Sequence, residues 1–84
     1  MATYYVSTHL RNLPNIYKRT PGESYEWHAL TISRFEGPHW CQKTNVHWSV
    51  TESAGYSSFT SLEKLLEADV LNEHYVKALL RLEV

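Results

Sequence analysis

The hydrophobic pattern of this chain changes period once, and that change limits the folds open to it. Residues 3–10, 25–35 and 45–51 alternate apolar with polar or small side chains, which is the period of two expected for half-buried β-strands. From residue 60 onward the apolar residues lie three and four apart, as on a helix. Strands followed by helices predict an α+β domain, in which helices cover one face of an antiparallel sheet.

Two short C-terminal helices are predicted, over 61–68 and 72–82. Thr60 and Glu63 fit a capping box that would begin the first helix. In the second helix a polar stripe is expected opposite an inward set of Tyr75, Val76, Leu79, Leu80 and Leu82. Residues 75–84 also alternate with period two, so a further strand is the alternative there. The helix is favoured because Ala, Leu, Arg and Glu are strong helix formers.

The predicted architecture is therefore a single two-layer domain over 1–84, with a three-stranded sheet, or four strands under the alternative, packed by the helices. Residues 11–24 are expected to form a long loop, and Gly37-Pro38 is expected to end the second strand. An 84-residue chain buries only roughly 60% of the surface that its unfolded form exposes, so the core is expected to be small.

Directing the best apolar residues inward leaves an outward set on the three strands that carries no formal charge. Leu30 and Ile32 are assigned to the core because aliphatic side chains pack there most easily. The opposite assignment would bury Trp27. Solvated sheet faces usually carry charges, so this uncharged set indicates contact with a partner: Tyr5, Ser7, His9, Tyr25, Trp27, Ala29, Thr31, Ser33, Asn45, His47, Ser49 and Thr51.

Charge and cysteine content exclude several functional classes. The net charge is −1, and residues 1–50 hold five basic and three acidic side chains. This small excess of positive charge does not predict a protein whose affinity depends on phosphate contacts. No apolar run reaches the length of a membrane span, and the first residues do not show the pattern of a signal peptide. The single cysteine, Cys41, cannot form an internal disulfide. A reducing, cytoplasmic setting follows as the expectation.

No signature for a metal, a cofactor or catalysis is found. His28, His39, Cys41 and His47 are potential zinc ligands, but structural zinc sites usually have close ligand pairs at both ends and several cysteines. His28 and His47 are predicted to point to opposite faces, which also argues against an acid–base pair. The chain is therefore predicted to be non-catalytic and to bind neither metal nor cofactor.

Protein binding is the function that the outward set predicts, because Tyr and Trp offer rigid contact area without a charge to desolvate. The chain resembles phage and mobile-element inhibitors of host machinery, including anti-CRISPR-type proteins, in size and α+β class alone. A larger host complex is the expected partner, and pairing of two copies through a sheet edge is a further option. The alternative is nucleic-acid binding by strand aromatics and the basic residues of 11–19. The predicted binding residues are Tyr5, His9, Arg11, Lys18, Arg19, Tyr25, Trp27, His47 and Thr51.

Overall fold

The computed structural model describes residues 2–7, 14–44, 46 and 55–84, which form five strands and two helices. In chain order these are β1 Thr3–Ser7, β2 Ile16–Arg19, β3 Trp27–Ser33, β4 Gly37–Lys43, β5 Tyr56–Phe59, α1 Leu62–Glu67 and α2 Glu73–Glu83. The strands make one sheet in the order β4-β3-β2-β1-β5. Every neighbouring pair is antiparallel.

The α+β class with two C-terminal helices is confirmed, but the predicted number of strands is wrong. β2 lies inside the segment 11–24, which was predicted to be a loop, and β5 lies in a segment given no element. Each has only four residues, too few for alternation to separate a strand from a loop. The predicted break at Gly37-Pro38 instead begins β4, an edge strand of the described sheet, where a proline is tolerated.

Part of the predicted strand pattern falls on residues that the structure does not describe. Residues 8–10 of the first predicted strand lie outside the described residues. So does the predicted strand 45–51, apart from residue 46.

The helices begin at side-chain caps close to the predicted positions. The cap of α1 is Ser61, whose hydroxyl accepts the Lys64 backbone N–H at 3.2 Å. The prediction of Thr60 as the cap is therefore wrong by one residue, and the Thr60 hydroxyl accepts the Lys64 ammonium instead. Asn72 caps α2 through the backbone N–H of Tyr75. Residues 73–83 are helical, so the alternative of a strand over 75–84 is wrong.

The core lies between the helices and one face of the sheet, which we call the helix face. Its buried side chains come from β1, β2, both helices and the segment joining the helices, and they are Tyr4, Val6, Ile16, Leu65, Leu71 and Leu79. Leu30 and Trp40 pack against this cluster. Leu80 was predicted to point inward, but it is 42% exposed, because the buried stripe of α2 runs through Ala78 and Leu79.

The contact of Leu30 with the core settles the orientation of β3. Successive side chains in a strand point to opposite faces, so Trp27 and Ala29 lie on the face away from the helices. The predicted orientations of the first and second strands are both confirmed, since Tyr4 and Val6 are buried on the helix face. Trp27 is therefore not part of the core between sheet and helices.

Candidate functional site

The face of the sheet away from the helices, here called the outer face, is built by alternate residues of all five described strands. The strand registers place these residues on it: Thr3, Tyr5, Ser7, Tyr17, Arg19, Trp27, Ala29, Thr31, Ser33, Gly37, His39, Cys41, Lys43, Tyr56 and Ser58. Neither described helix packs there, because both lie against the core on the helix face.

Four aromatic side chains form a continuous group on the outer face, which we call the ring cluster. Tyr5 and Trp27 lie with their ring centroids 5.2 Å apart. Tyr17 contacts Trp27 edge to face at 6.4 Å and reaches Tyr56 at 6.2 Å. All four residues are half-buried, and tilted and edge-to-face pairs of this kind stabilise one another. The rings therefore hold one another in place while part of each surface stays accessible.

Small side chains lie beside the ring cluster and form a lower surface, which we call the floor. Tyr17 pairs across the sheet with Ala29, and Ala29 pairs with Cys41. Thr31 follows Ala29 on the same side of β3. Because these side chains are much shorter than the neighbouring rings, the outer face has a step between a raised aromatic part and a flat part.

Two cations flank Trp27 on neighbouring strands. Arg19 and Lys43 are the cross-strand partners of Trp27 on β2 and β4. The Arg19 guanidinium lies 5.5 Å from the Trp27 ring centroid and pairs with Glu26 at 3.3 Å. The predicted absence of charge on this face is therefore wrong. Neither cation was predicted to lie on this face, because β2 and β4 were not predicted as strands, although Arg19 was predicted to contribute to binding from the loop 11–24.

The predicted binding residues are only partly brought together. Tyr5, Arg19 and Trp27 meet on the outer face, whereas Lys18 points to the helix face and Tyr25 lies in the exposed turn before β3. Lys18 and Arg19 were predicted to share a loop, but as neighbours in β2 they point to opposite faces. The remaining predicted residues lie outside the described part of the chain: His9, Arg11, His47 and Thr51.

Sequence reasoning missed Tyr17, Cys41, Lys43 and Tyr56 as members of this face. The available signal was the Ile16-Tyr17 pair, since both residue types favour strands, but Pro14 and Pro21-Gly22 around it favoured a loop. Tyr56 belongs to a short run of Tyr, Ser and Phe with little alternation. Which strands are neighbours, and so which rings meet, depends on pairing that local patterns do not specify.

A polar cluster on the helix face was also not predicted. The Lys18 ammonium lies 2.8 Å from the Glu83 carboxylate at the end of α2, and 4.6 Å from the Trp40 ring centroid. Burial, the Glu83 charge and hydrogen bonding to Glu83 raise the pKa of Tyr4 to about 12. The cluster fastens the last turn of α2 to the sheet, and Lys18 is thus a structural residue.

An open depression of about 420 Å³ lies near the turn that precedes β3. It is lined by Gly22, Glu23, Ser24, Tyr25, His28 and Gln42. The Nδ1 atom of His28 is buried and has no hydrogen-bond partner among the described residues. His28 lies on the helix face and His39 on the outer face, so these two imidazoles cannot act as a pair. Among the described residues, no three potential metal ligands come together.

Neither described helix is both long and apolar enough to cross a membrane. Searches with the whole chain found no matching family model, no matching curated protein and no matching solved structure. The outer face and its ring cluster are thus the evidence from which a function is argued.

Proposed function

We propose that this chain is a small non-catalytic protein-binding module that docks its outer face on a larger protein and occludes it. The observation that carries the proposal is the ring cluster, which lies on the sheet face that neither described helix covers. Tyr and Trp are enriched among the residues that dominate binding energy at protein interfaces. Rings that are already packed against one another lose little conformational freedom on binding, which favours affinity.

The step between the ring cluster and the floor suits a protein surface. A partner side chain seated on Ala29 and Cys41 would contact the side of the Tyr17 ring as well as the floor. Close packing of this kind is typical of the centre of protein interfaces. The tyrosine hydroxyls and the hydroxyls of Thr31 and Ser33 add hydrogen bonds without the cost of desolvating a charge.

The setting that we propose is the cytoplasm, on the basis of the single cysteine. The proposed role is that of an accessory protein of a phage or mobile element that inhibits a larger host complex. Its support is the resemblance in size and α+β class. Pairing of two copies through the edge of β4 remains an alternative to a foreign partner, since no described strand lies on the outer side of β4.

The test is affinity capture from a host lysate with matched variants. Trp27→Glu places a charge in the ring cluster. Phe35→Glu also replaces an aromatic residue with a charged one, but at a position in the β3–β4 turn that is 95% exposed. We expect both variants to fold by circular dichroism. A protein captured by the wild type and by Phe35→Glu, but not by Trp27→Glu, would be the partner. Unfolding of Trp27→Glu would show instead that the indole is a core residue.

Cys41 supplies a second measurement that needs no substitution. It is the only cysteine of the chain and lies on the floor of the outer face. Maleimide labelling of its thiol should block binding of the captured partner, and bound partner should slow the labelling. A partner that binds the labelled protein with unchanged affinity would show that the floor is not part of the interface.

Binding of single-stranded nucleic acid is the second candidate, and the position of Arg19 above Trp27 favours it. Aromatic rings on an open sheet can stack unpaired bases, and neighbouring cations can meet phosphates. The expected signature is binding to a dT oligonucleotide that weakens steeply as salt rises. A dissociation constant that does not change with salt, or no binding at all, would remove this candidate.

A further inference from the structure

The balance of acidic and basic side chains differs between the outer face and the helical layer of the described structure. Arg19 and Lys43 are the only formally charged side chains at the described strand positions of the outer face. Residues 61–84, which form the helical layer, hold five acidic and three basic side chains. Glu26 pairs with Arg19, but Lys43 leaves these strand positions net positive, so an acidic partner would be attracted to the outer face and repelled by the helical layer.

The strand register places the two cations on either side of Trp27 in one cross-strand row, and the Arg19 guanidinium lies over the indole. Since neighbouring strands are about 4.8 Å apart, the backbones that carry the two cations are separated by about 10 Å. A segment crossing this row would meet a cation, then the indole, then a second cation.

Both cations are accessible to a partner. The Arg19–Glu26 pair is 3.3 Å long, and its side chains are 41% and 39% exposed, so a partner carboxylate can replace Glu26 at little cost. Lys43 is exposed, and its ammonium pairs with no side chain in the described part of the chain. Two cations are few for a phosphate backbone, because nucleic-acid affinity grows with the number of phosphates neutralised.

We propose that the partner contacts Trp27 with an acidic protein segment. Its carboxylates meet Arg19 and Lys43, and an apolar side chain between them packs on the indole. This inference rests on the proposed function and specifies the chemistry of the partner. Charge complementarity of this kind governs association rate and specificity.

The experiment is a selection from a random peptide library against the purified full chain, with Trp27→Glu used to remove peptides that bind elsewhere. We expect the Trp27-dependent peptides to be enriched in Asp and Glu around an apolar residue. The tightest peptide is then synthesised with its carboxylates and with the matching amides. Affinity should fall by roughly 3- to 30-fold for the amide peptide, and similarly for the Arg19→Ser/Lys43→Ser variant.

The matched control is Lys77→Ser, which removes an exposed cation from the helical layer and should leave the affinity unchanged. Trp27-dependent peptides without acidic enrichment, bound equally by the double variant, would overturn the acidic partner and leave the proposed function intact. A complete lack of Trp27-dependent peptides would overturn both. Binding of a dT oligonucleotide that is lost in the double variant would assign the cations to phosphate instead.

Discussion

The two faces of the sheet are built by the same strands and differ in what their polar groups do. On the helix face, Lys18 pairs with Glu83 beneath α2, and both side chains are more than four-fifths buried. On the outer face, its neighbour Arg19 pairs with Glu26 while both remain well exposed. Two adjacent basic residues thus have different roles. Lys18 stabilises the fold on the helix face, whereas Arg19 stays available to a partner on the outer face. The difference lies in whether a helix covers the pair, not in the type of residue.

The largest expected effect is the loss of stability when a side chain in the core between the helices and the sheet is shortened. Leu79 is fully buried, so Leu79→Ala removes apolar contacts and leaves a cavity. We expect the free energy of unfolding to fall by about 2–5 kcal/mol, measured by urea denaturation. In a domain of this size such a loss removes much of the total stability.

Leu80→Ala is the matched control, because this residue is next in the helix and 42% exposed. Its effect should stay within about 0.5 kcal/mol. An equal loss in the two variants would mean that α2 is rotated about its axis, so that Leu80 also faces the sheet. The core would then include Leu80, as the sequence pattern predicts.

The next effect is the coupling between Lys18 and Glu83. A double-mutant cycle with Lys18→Met and Glu83→Gln should give a coupling energy of about 1–3 kcal/mol, because either single change leaves a mostly buried charge without its partner. The readout is the free energy of unfolding of the four proteins. A coupling near zero would show that the end of α2 is not fastened to the sheet by this pair.

A smaller effect distinguishes Tyr4 from Tyr5, neighbours in β1 that point to opposite faces. Tyr4→Phe removes the hydroxyl group that interacts with Glu83 and should lower the free energy of unfolding by about 1 kcal/mol. Tyr5→Phe should change it less. Because the pKa of Tyr4 is raised to about 12, its contribution is complete below pH 10 and is lost as the pH rises toward 12.

The measurement is the difference in the free energy of unfolding between wild type and Tyr4→Phe, followed from pH 8 to pH 12. This difference should shrink above pH 10. A constant difference for Tyr4→Phe would contradict the raised pKa of Tyr4.

The orientations of two strands and the presence of both helices could be predicted from the sequence. The orientations of β1 and β3 were predictable because Tyr4 and Val6, and Leu30 and Ile32, keep a period of two. The two helices were predictable because a polar cap precedes each helical apolar pattern. These signals are local, since they depend on neighbours within a few positions in the chain.

The composition of the outer face could not be predicted, because it depends on which strands are neighbours. Tyr17 and Tyr56 meet across β1, although they are far apart in sequence. Lys18 illustrates the same limit: its partner, Glu83, is 65 positions away. A basic residue that lies between prolines is predicted to be in a loop. Lys18 is mostly buried only because β2 pairs with other strands and because the distant end of α2 packs over it.

The smallest effect is expected for the pair on the outer face, and it tests the basis of the proposed acidic partner. A double-mutant cycle with Arg19→Ser and Glu26→Gln should give a coupling energy of about 0–1 kcal/mol, since exposed pairs gain little in water. Arg19 would then be free to exchange Glu26 for a partner carboxylate while it keeps its place above Trp27. A coupling as large as that of Lys18 and Glu83 would mean that Arg19 is held in place. The outer face would then offer Lys43 as its only available cation among the described residues.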